Sequence, residues 1–349
     1  MRIDRHIISE QASLTEALRM LNELSGGVMT LIVIDADGRM TGTLTDGDVR
    51  RALLGGIALD APVASAMFRG FHALREGEID PLRVCEIRKR GIRLIPVLDS
   101  DGRVVRLIDT CVTRTVLPVS AVLMAGGKGE RLRPMTLKTP KPLLEIGGKA
   151  IIDYNIEALA AVGVTDISVT VNYLAEQLED HFSAPVGGVS VRCVRETKPL
   201  GTIGSVALVG LPAEGDTIVM NSDLLTTVSF EDLYLRHRSE KADITIAVVS
   251  YNVSVPYAIL STEGECVTGL VEKPSYSYYA NAGIYIISNR LLSGLSPDIR
   301  MDATDLIEQA IAEGRKVTYC PINGTWIDIG SPADFAHARE LMAHVRQTR

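Results

Sequence analysis

The chain has 349 residues, of which 46% are apolar and 23% are charged, and its formal net charge is −7. A chain of this length can bury more than one hydrophobic core, so we expect a globular protein of about two domains. The acidic balance excludes general nucleic-acid binding, because such binding needs a broad basic surface. No stretch reaches the length of a membrane span and residues 1–10 lack an apolar signal-peptide core, so we expect a cytoplasmic location.

Residues 1–116 contain a weak internal repeat. The first repeat is predicted to have helices at 14–24 and 48–54 and strands at 30–35 and 40–44. The second is predicted to have a helix at 81–90 and strands at 94–98 and 104–108. Each repeat places an Asp-Gly pair between its two strands, which is typical of a tight turn.

The segment GRMTGTLTDGDVRRAL, at residues 38–53, resembles the CBS domain family. The resemblance implies a tandem CBS domain pair over 1–116 that senses a nucleotide or organises a dimer. In that family the Thr and Asp of a TxxD element bind a nucleotide's phosphate and ribose, which implies these roles for Thr45 and Asp48. The second repeat has no TxxD element, so at most one ordinary adenosine site is implied. Alternatively, Thr45 and Asp48 only cap the helix that follows them.

A short connection at 113–120, which includes Pro118, ends this region. Beyond it, apolar strands alternate with helical patterns, so residues 117–349 are predicted to form a Rossmann-like, three-layer α/β domain with a mixed, mostly parallel sheet. The predicted strands are 119–124, 167–171, 189–194, 216–220, 244–249, 269–271 and 282–287, and the predicted helices are 151–161, 230–237, 303–313 and 332–345. Antiparallel strands are expected around 257–272.

The segment at 125–143, AGGKGERLRPMTLKTPKPL, combines glycines with Lys and Arg directly after a buried strand. Glycines let the backbone approach phosphate oxygens, and Arg and Lys donate charged hydrogen bonds. The sequence therefore predicts a polyanion site. A Walker A loop is excluded because its Gly-Lys-Ser/Thr ending is missing, and a dinucleotide fingerprint is excluded because position 132 is Leu.

This segment matches every fixed position of GGxGxRLxPxTxxxPKPL, and the chain resembles the sugar-1-phosphate nucleotidyltransferases there. The resemblance implies that Arg131 and Lys141 stabilise charge on the reacting phosphates. It also implies a nucleotide cradle, made of Ala125, Gly126, Gly127 and Gly129. Two positions depart from the family, Glu130 where many members have Thr or Ser, and Ala150 where Pro is usual.

Two aspartates are candidate Mg²⁺ ligands. Asp223 follows the predicted strand at 216–220, and Asp328 lies in GTWIDIGSP, which resembles the family element GxWxDIGTP. The resemblance implies that both bind Mg²⁺, which prefers carboxylate oxygens. Taken singly, either aspartate is typical of a turn or a helix cap.

Two further segments resemble substrate-binding loops of the family. In ETKPLGTIGS, the implied nucleotide-binding residues are Glu196, Gly201 and Thr202, and an ordinary turn before a helix is the alternative. In VEKP, the resemblance implies that Glu272 binds sugar hydroxyls and Lys273 binds the sugar 1-phosphate, with Asn281 also contacting the sugar. Without the resemblance, these three residues would be typical surface and turn residues.

The resemblance implies transfer of a nucleoside monophosphate from a nucleoside triphosphate, GTP favoured, to a mannose, heptose or hexosamine type of sugar 1-phosphate. CBS-fused members act in bacterial cell-surface polysaccharide pathways. The nucleophile is a phosphate oxygen, so no catalytic triad is expected. A homodimer or higher homo-oligomer is expected, with no nucleic acid and no membrane partner. The alternatives are thymidylyl, uridylyl or cytidylyl transfer to a sugar or alcohol phosphate, and a non-catalytic regulatory subunit that binds sugar nucleotides.

Overall fold

The structure, a computed structural model, describes residues 3–77 and 79–347. Its contacts divide the chain into two compact units. The first consists of Met1–Leu117 with Ala161–Gly163, and the second consists of Pro118–Ala160 and Val164–Arg349. Within the described residues, no helix is both long enough and apolar enough to cross a membrane.

The first unit consists of two small β-α-β-β repeats. Its strands and helices are β1 (Ile7–Ser9), α1 (Leu14–Glu23), β2 (Thr30–Ile34), β3 (Met40–Thr45), α2 (Asp46–Leu54), β4 (Leu74–Arg75), α3 (Pro81–Lys89), β5 (Leu94–Leu98) and β6 (Val104–Asp109). The strand orders are β1-β2-β3 and β4-β5-β6, each with a parallel pair followed by an antiparallel pair. The predicted internal repeat is therefore present in the topology.

The same turn chemistry joins the last two strands of each repeat. Asp35 Oδ1 accepts hydrogen bonds from the backbone amides of residues 37 and 39, and Asp99 Oδ1 accepts them from residues 101 and 103. Gly38 and Gly102 follow with φ of 80° and 81°, a conformation that glycine adopts without strain. The Asp-Gly spacing thus produced two equivalent turns.

Each repeat buries one face of a helix against its sheet. In the first repeat, Ser13 caps α1 by accepting a hydrogen bond from the Glu16 amide. Leu14 and Leu21 then lie on one face of the helix and pack on Leu31 of β2, all fully or almost fully buried. Burial of a leucine side chain contributes about 1.5–3 kcal/mol, so such a face anchors the helix.

The second unit is built on a seven-stranded sheet. Its elements are β7 (Val119–Ala125), β8 (Glu145–Ile146), β9 (Lys149–Ala150), α4 (Ile151–Ala161), β10 (Ile167–Val171), α5 (Ala175–His181), β11 (Val191–Arg195), β12 (Asp216–Asn221), β13 (Leu224–Thr226), α6 (Phe230–Glu240), β14 (Ile244–Ser254), β15 (Ile259–Glu263), β16 (Cys266–Val271), β17 (Ser275–Ser288), α7 (Asn289–Leu292), α8 (Ala303–Ala312), β18 (Val317–Pro321), β19 (Trp326–Asp328) and α9 (Pro332–Gln347).

The strand order of the large sheet is β11-β10-β7-β12-β17-β14-β18. All neighbours are parallel except at β17, which is antiparallel to both β12 and β14. Every residue of β10 is buried, so both faces of the sheet are covered. On one face, Val122 and Val219 pack with Leu306 of α8. The mixed, mostly parallel sheet agrees with the predicted fold class.

Candidate active site

The carboxyl ends of four parallel strands lie together at one edge of the large sheet. Val171 pairs with both Ala125 and Arg195, and Asn221 pairs with Met124. A cavity of about 600 Å³ opens at this edge. Its lining is Met124, Ala125, Gly126, Gly127, Gly129, Glu130, Arg131, Leu132, Lys141, Pro142, Glu196, Pro199, Leu200, Gly201, Thr202, Asn221, Ser222, Asp223, Arg300, Asp302 and Gly330.

The glycine loop after β7 forms one wall of the cavity and is tightly packed. A Cβ on Gly126 would lie 2.6 Å from Oε1 of Glu196, so no larger residue fits there without a shift. Gly129 has φ of 58°, and its carbonyl accepts a hydrogen bond of 2.8 Å from Thr136 Oγ1. The loop is therefore held in a conformation in which its backbone lines the cavity.

Lys141 lies between two carboxylates. Its Nζ forms a hydrogen bond with Asp223 Oδ2 and lies 3.8 Å from Asp328 Oδ1, while its side chain is 11% exposed. The backbone explains this arrangement, since β13 and β19 pair Leu224 with Asp328. In addition, the amide of Ile329 donates to the Asp223 carbonyl. The two aspartates, which are 105 positions apart in the sequence, are thus neighbours.

Two observations indicate that the residues at this position suit a divalent cation. Asp223 Oδ1 is buried and has no hydrogen-bond partner among the described residues. The pKa of Asp328 is raised, first by burial and then by the charge of Asp223, although Lys141 and Arg131 act in the opposite direction. A cation between the two carboxylates would give Asp223 Oδ1 a partner. It would also reduce the repulsion between Asp223 and Asp328.

The described residues include no group of three or more His, Cys, Asp or Glu side chains placed to hold a metal. A Mg²⁺ ion bound by Asp223 and Asp328 would therefore take its remaining ligands from phosphate oxygens and water. Such a mixed set is what Mg²⁺ usually has, because it gives up its water molecules reluctantly.

The opposite wall of the cavity comes from the segment between β11 and β12. Glu196 is 7% exposed, and its Oε2 accepts a hydrogen bond of 3.2 Å from the Leu200 amide. Burial is the main cause that raises the pKa of Glu196. Gly201 has φ of 82°, and a Cβ there would lie 2.4 Å from the Met301 carbonyl oxygen. A tight turn thus requires glycine at this position.

The start of α8 holds this turn in place. The Thr202 amide donates to Asp302 Oδ1 at 2.9 Å, and Thr202 Oγ1 accepts from the Ala303 amide at 2.8 Å. Arg300 pairs with Asp302 Oδ2 at 2.9 Å and also lines the cavity. The sequence reasoning did not include Arg300 or Asp302 in the site. Asp302 and Asp305 form a capping box at the start of α8. This local signal predicts where the helix begins, but it does not predict that the helix start contacts the turn at Gly201.

Three predicted sugar-binding residues are not among those that line the described cavity. Glu272 and Lys273 are exposed in the turn between β16 and β17, where Lys273 has φ of 42°. Asn281 is also exposed, and its Oδ1 accepts a hydrogen bond of 2.9 Å from the Gly283 amide. The described cavity thus contains the predicted phosphate and nucleotide residues but not the predicted sugar residues.

In the first unit, Thr45 and Asp48 bond to each other. The Thr45 amide donates to Asp48 Oδ2 at 2.8 Å, and the Asp48 amide donates to Thr45 Oγ1 at 3.4 Å. This is a capping box at the start of α2, and Asp48 Oδ1 also pairs with Arg51. These contacts support the helix-cap interpretation of the two residues.

Comparison with known proteins agrees with the geometry of the cavity. The family model for nucleotidyl transferases matches residues 120–344. The chain belongs to the nucleotidyl transferase family. A CBS domain model matches residues 1–55, so this nucleotidyl transferase has a CBS domain at its amino end.

Several curated relatives match the nucleotidyl transferase domain. The mannose-1-phosphate guanylyltransferase catalytic subunit beta of Drosophila pseudoobscura pseudoobscura is 35% identical over 226 residues, covering 62% of this chain and 60% of the relative. The probable mannose-1-phosphate guanylyltransferase 1 of Oryza sativa subsp. japonica is 34% identical over 231 residues, covering 62% of this chain and 63% of the relative. The chain therefore spans about three fifths of the length of these relatives.

Among solved structures, HddC from Yersinia pseudotuberculosis is similar to this chain with a TM-score of 0.51 and 25% identity, over 64% of this chain and 99% of HddC. A thymidylyltransferase structure from Bacillus anthracis, at 23% identity and a TM-score of 0.52, shares the fold.

Proposed function

We propose that the protein transfers a nucleoside monophosphate, with GTP as the favoured donor, to a sugar 1-phosphate of the mannose, heptose or hexosamine type. The products are a nucleoside diphosphate sugar and pyrophosphate. The observation that carries this proposal is the cavity in which the glycine loop, Lys141 and Asp223 lie together. The relatives named as mannose-1-phosphate guanylyltransferases support the choice of guanine and of a sugar 1-phosphate.

We propose that the nucleotide lies between the two walls of the cavity. The backbone of the glycine loop, with Ala125, Gly126, Gly127 and Gly129, would hold the triphosphate. The opposite wall, with Glu196, Gly201 and Thr202, would hold the nucleoside, because the turn at Gly201 brings backbone groups to the cavity surface. Glu272, Lys273 and Asn281 would bind the sugar 1-phosphate.

The reaction would join an oxygen of the sugar 1-phosphate to the α-phosphorus of the triphosphate, and the bond from that phosphorus to the bridging oxygen of pyrophosphate would break. Both reactants are anions, so their repulsion must be reduced. Arg131 is exposed to the cavity, and Lys141 would exchange its contact with Asp223 for one with a phosphate oxygen. These cations would stabilise the charge that develops on the leaving group.

We propose that Asp223 and Asp328 bind Mg²⁺. When bound, Mg²⁺ supplies positive charge to the phosphate oxygens and orients them. The buried Asp223 Oδ1, which has no partner in the described part of the chain, supports this assignment, because an unpaired carboxylate oxygen away from water is costly.

The test is a pyrophosphate-release assay with four nucleoside triphosphates and a panel of sugar 1-phosphates. GTP with a mannose, heptose or hexosamine 1-phosphate should give the highest kcat/KM. Arg131→Ala and Lys141→Ala should each lower kcat by on the order of 100-fold or more, as other electrostatic stabilisers do. Arg290→Ala is the matched control, because Arg290 pairs with the exposed Glu214 and neither residue is among those that line the cavity. No turnover with any pair, in a folded protein that still binds sugar nucleotides, would favour the non-catalytic alternative.

For the first unit, we propose a tandem CBS pair over residues 1–116, followed by the nucleotidyl transferase domain at 117–349. The matching topology of the two repeats supports the pair. We also propose a regulatory nucleotide at Thr45 and Asp48, a homo-oligomer, and a cytoplasmic location where nucleoside triphosphates are available.

A further inference from the structure

Residues 299–302, which lead into α8, contribute to two cavities of the second unit. Arg300 and Asp302 line the active-site cavity, whereas Ile299 and Met301 line a second cavity of about 290 Å³. Such alternation is typical of extended backbone, in which successive side chains lie on opposite sides. We name residues 299–302 the shared segment. A ligand in the second cavity would contact the same piece of chain that supports the wall proposed for the nucleoside.

The buried part of the second cavity is apolar. Leu306 and Ala310, on one face of α8, are 5% and 1% exposed, and Leu291 and Met301 pack against the same core. An apolar cavity of about 150 Å³ is large enough to bind benzene. The second cavity, at about 290 Å³, therefore has room for a larger apolar group.

The exposed part of the second cavity is charged. Arg290 and Arg315 line it together with one acid, Glu313, and the three side chains are between 45% and 75% exposed. Arg290 bonds to Glu214 at 2.8 Å, and Arg315 Nε lies 3.7 Å from Glu313 Oε2. Exposed ion pairs of this kind contribute little to stability, so a bound anion would readily replace the glutamates. The two arginines therefore favour a ligand with an anionic group, to which they donate charged hydrogen bonds.

Backbone hydrogen bonds tie the shared segment to the wall of the active-site cavity. The Met301 amide donates to the Leu200 carbonyl at 2.9 Å, and the Met301 carbonyl accepts from the amides of Ile203 and Gly204 at 3.1 Å. Gly204 also lines the second cavity, and a Cβ there would lie 2.8 Å from the Ile299 carbonyl oxygen. The shared segment and the turn after Leu200 are thus packed too closely to shift independently.

We propose that the second cavity is an effector site for a small amphipathic anion, which has an apolar body and one carboxylate or phosphate group. The apolar body covers Ile299, which is 57% exposed, and the anionic group binds Arg290 and Arg315. A ligand that fits this cavity stabilises the arrangement in which the shared segment is bonded to residues 200–204. That arrangement forms the wall proposed for the nucleoside, so effector and nucleotide each strengthen the binding of the other. This coupling, unlike the effector site itself, rests on the proposed function.

Titration calorimetry of the full chain with octanoate, octyl phosphate, octanol and octylamine tests the ligand class. The four probes share one apolar body and differ in the polar group. We expect a single site for at least one of the two anions, with a Kd about 10-fold or more below those of octanol and octylamine, because only the anions accept charged hydrogen bonds from arginine. The anion that binds more tightly identifies the group that the effector carries. Equal binding of all four probes, or no binding of either anion, would overturn the proposal.

Charge reversal at Arg315 tests where the anion binds. Arg315→Glu adds a negative charge to the lining of the second cavity, so the affinity for the anion should fall about 10-fold or more. Arg236→Glu is the matched control, because Arg236 is also a half-exposed arginine beside a glutamate and lines neither of the two cavities. Unchanged binding in Arg315→Glu, or equal losses in both variants, would place the anion elsewhere and overturn the proposal. Thermal unfolding checks that both variants are folded.

The coupling is tested by titrating the four nucleoside triphosphates with Mg²⁺ and without sugar 1-phosphate, in the presence and absence of the saturating anion. The anion should lower the Kd of the bound triphosphate about 5-fold or more, and the triphosphate should lower the Kd of the anion by the same factor. Arg236→Glu should keep this effect and Arg315→Glu should lose it. An unchanged Kd of the triphosphate would overturn the coupling. A wild type that binds no triphosphate would contradict the proposed function and the coupling with it, whereas the titrations with the anions alone would still decide the effector site.

Discussion

At the scale of single residues, Asp223 has the least satisfied side chain in the candidate site. One carboxylate oxygen contacts Lys141, and the other is buried without a partner among the residues that the structure describes. If this carboxylate binds Mg²⁺, Asp223→Asn removes a charge next to the metal, and kcat should fall by on the order of 1,000-fold. Pyrophosphate release measured over a range of Mg²⁺ concentrations checks this expectation.

Asp166→Asn is the matched control for this substitution. Asp166 immediately precedes β10, at the other edge of the same sheet, where its carboxylate accepts a hydrogen bond of 2.7 Å from Ser120 Oγ. It should retain most of the activity. Equal activities of the Asp223→Asn and Asp166→Asn variants, both folded, would remove Asp223 from the metal site.

Glu196 makes the stability of the protein depend on pH. Burial raises the pKa of Glu196 above its ordinary value of 4.5, so above that pH the folded state retains a proton that the unfolded state has lost. The contribution of Glu196 to the free energy of unfolding is fully present below about pH 4.5. It is lost as the pH rises through the pKa that Glu196 has in the folded state. The Tm of Glu196→Gln relative to wild type should therefore increase between about pH 4.5 and 7. A constant difference in Tm, measured by calorimetry, would contradict a raised pKa.

At the scale of elements, the turn at Gly201 links the nucleotide wall to the start of α8. Gly201→Ala would introduce both a strained φ and a contact of 2.4 Å with the Met301 carbonyl oxygen. The strained φ alone costs about 1–2 kcal/mol. Gly210 has φ of 69° with open space around it, so Gly210→Ala isolates that strain.

We expect Gly201→Ala to lower the free energy of unfolding more than Gly210→Ala does. It should also raise KM for the nucleotide several-fold, because Thr202 and Asp302 lose their positions. Denaturant unfolding and steady-state kinetics measure the two effects. A larger loss of stability in Gly210→Ala would mean that the turn at Gly201 can relax.

The elements that the sequence predicted well are those with local signals. The helix at 151–161 has the predicted bounds, and the predicted antiparallel strands around 257–272 are β15 and β16. The helix predicted from residue 48 begins at Asp46 instead, because Thr45 is the cap and Asp48 is the third residue of the helix. The glycine loop begins directly after β7, and Asp223 follows the end of β12 by two residues, so both lie where the sequence predicted the carboxyl end of a strand.

The presence of Arg300 in the cavity lining and the absence of Glu272 from it could not be predicted in this way. Arg300 reaches the cavity because α8 begins against the turn at Gly201, about 100 residues earlier in the chain, and no local pattern records that contact. The position of Glu272 depends on how far two strands extend beyond a sheet. Periodicity predicts that a strand exists but not what covers its faces.

At the scale of the whole molecule, the cavity and the nucleotide-binding candidates Thr45 and Asp48 belong to different compact units. All residues that line the described cavity lie between Met124 and Gly330, in the second unit. A fragment that begins at Thr115 should therefore retain nucleotidyl transfer, with kcat within a few-fold of the full chain. It should not respond to a nucleotide bound by the first unit, since an effector acts only through its differential affinity for two states.

Titration calorimetry with adenine and guanine nucleotides on four proteins tests this division. The full chain should show a binding event that is weaker in the Asp48→Ala variant and missing in the fragment. The Asp46→Ala variant is the control, because Asp46 pairs with Arg50 outside the Thr45–Asp48 capping box. Removing the cap alone should cost about 1 kcal/mol of stability, so Asp48→Ala is compared below its unfolding transition. Identical isotherms for all proteins would leave Thr45 and Asp48 as a helix cap, and a folded but inactive fragment would show that catalysis requires the first unit.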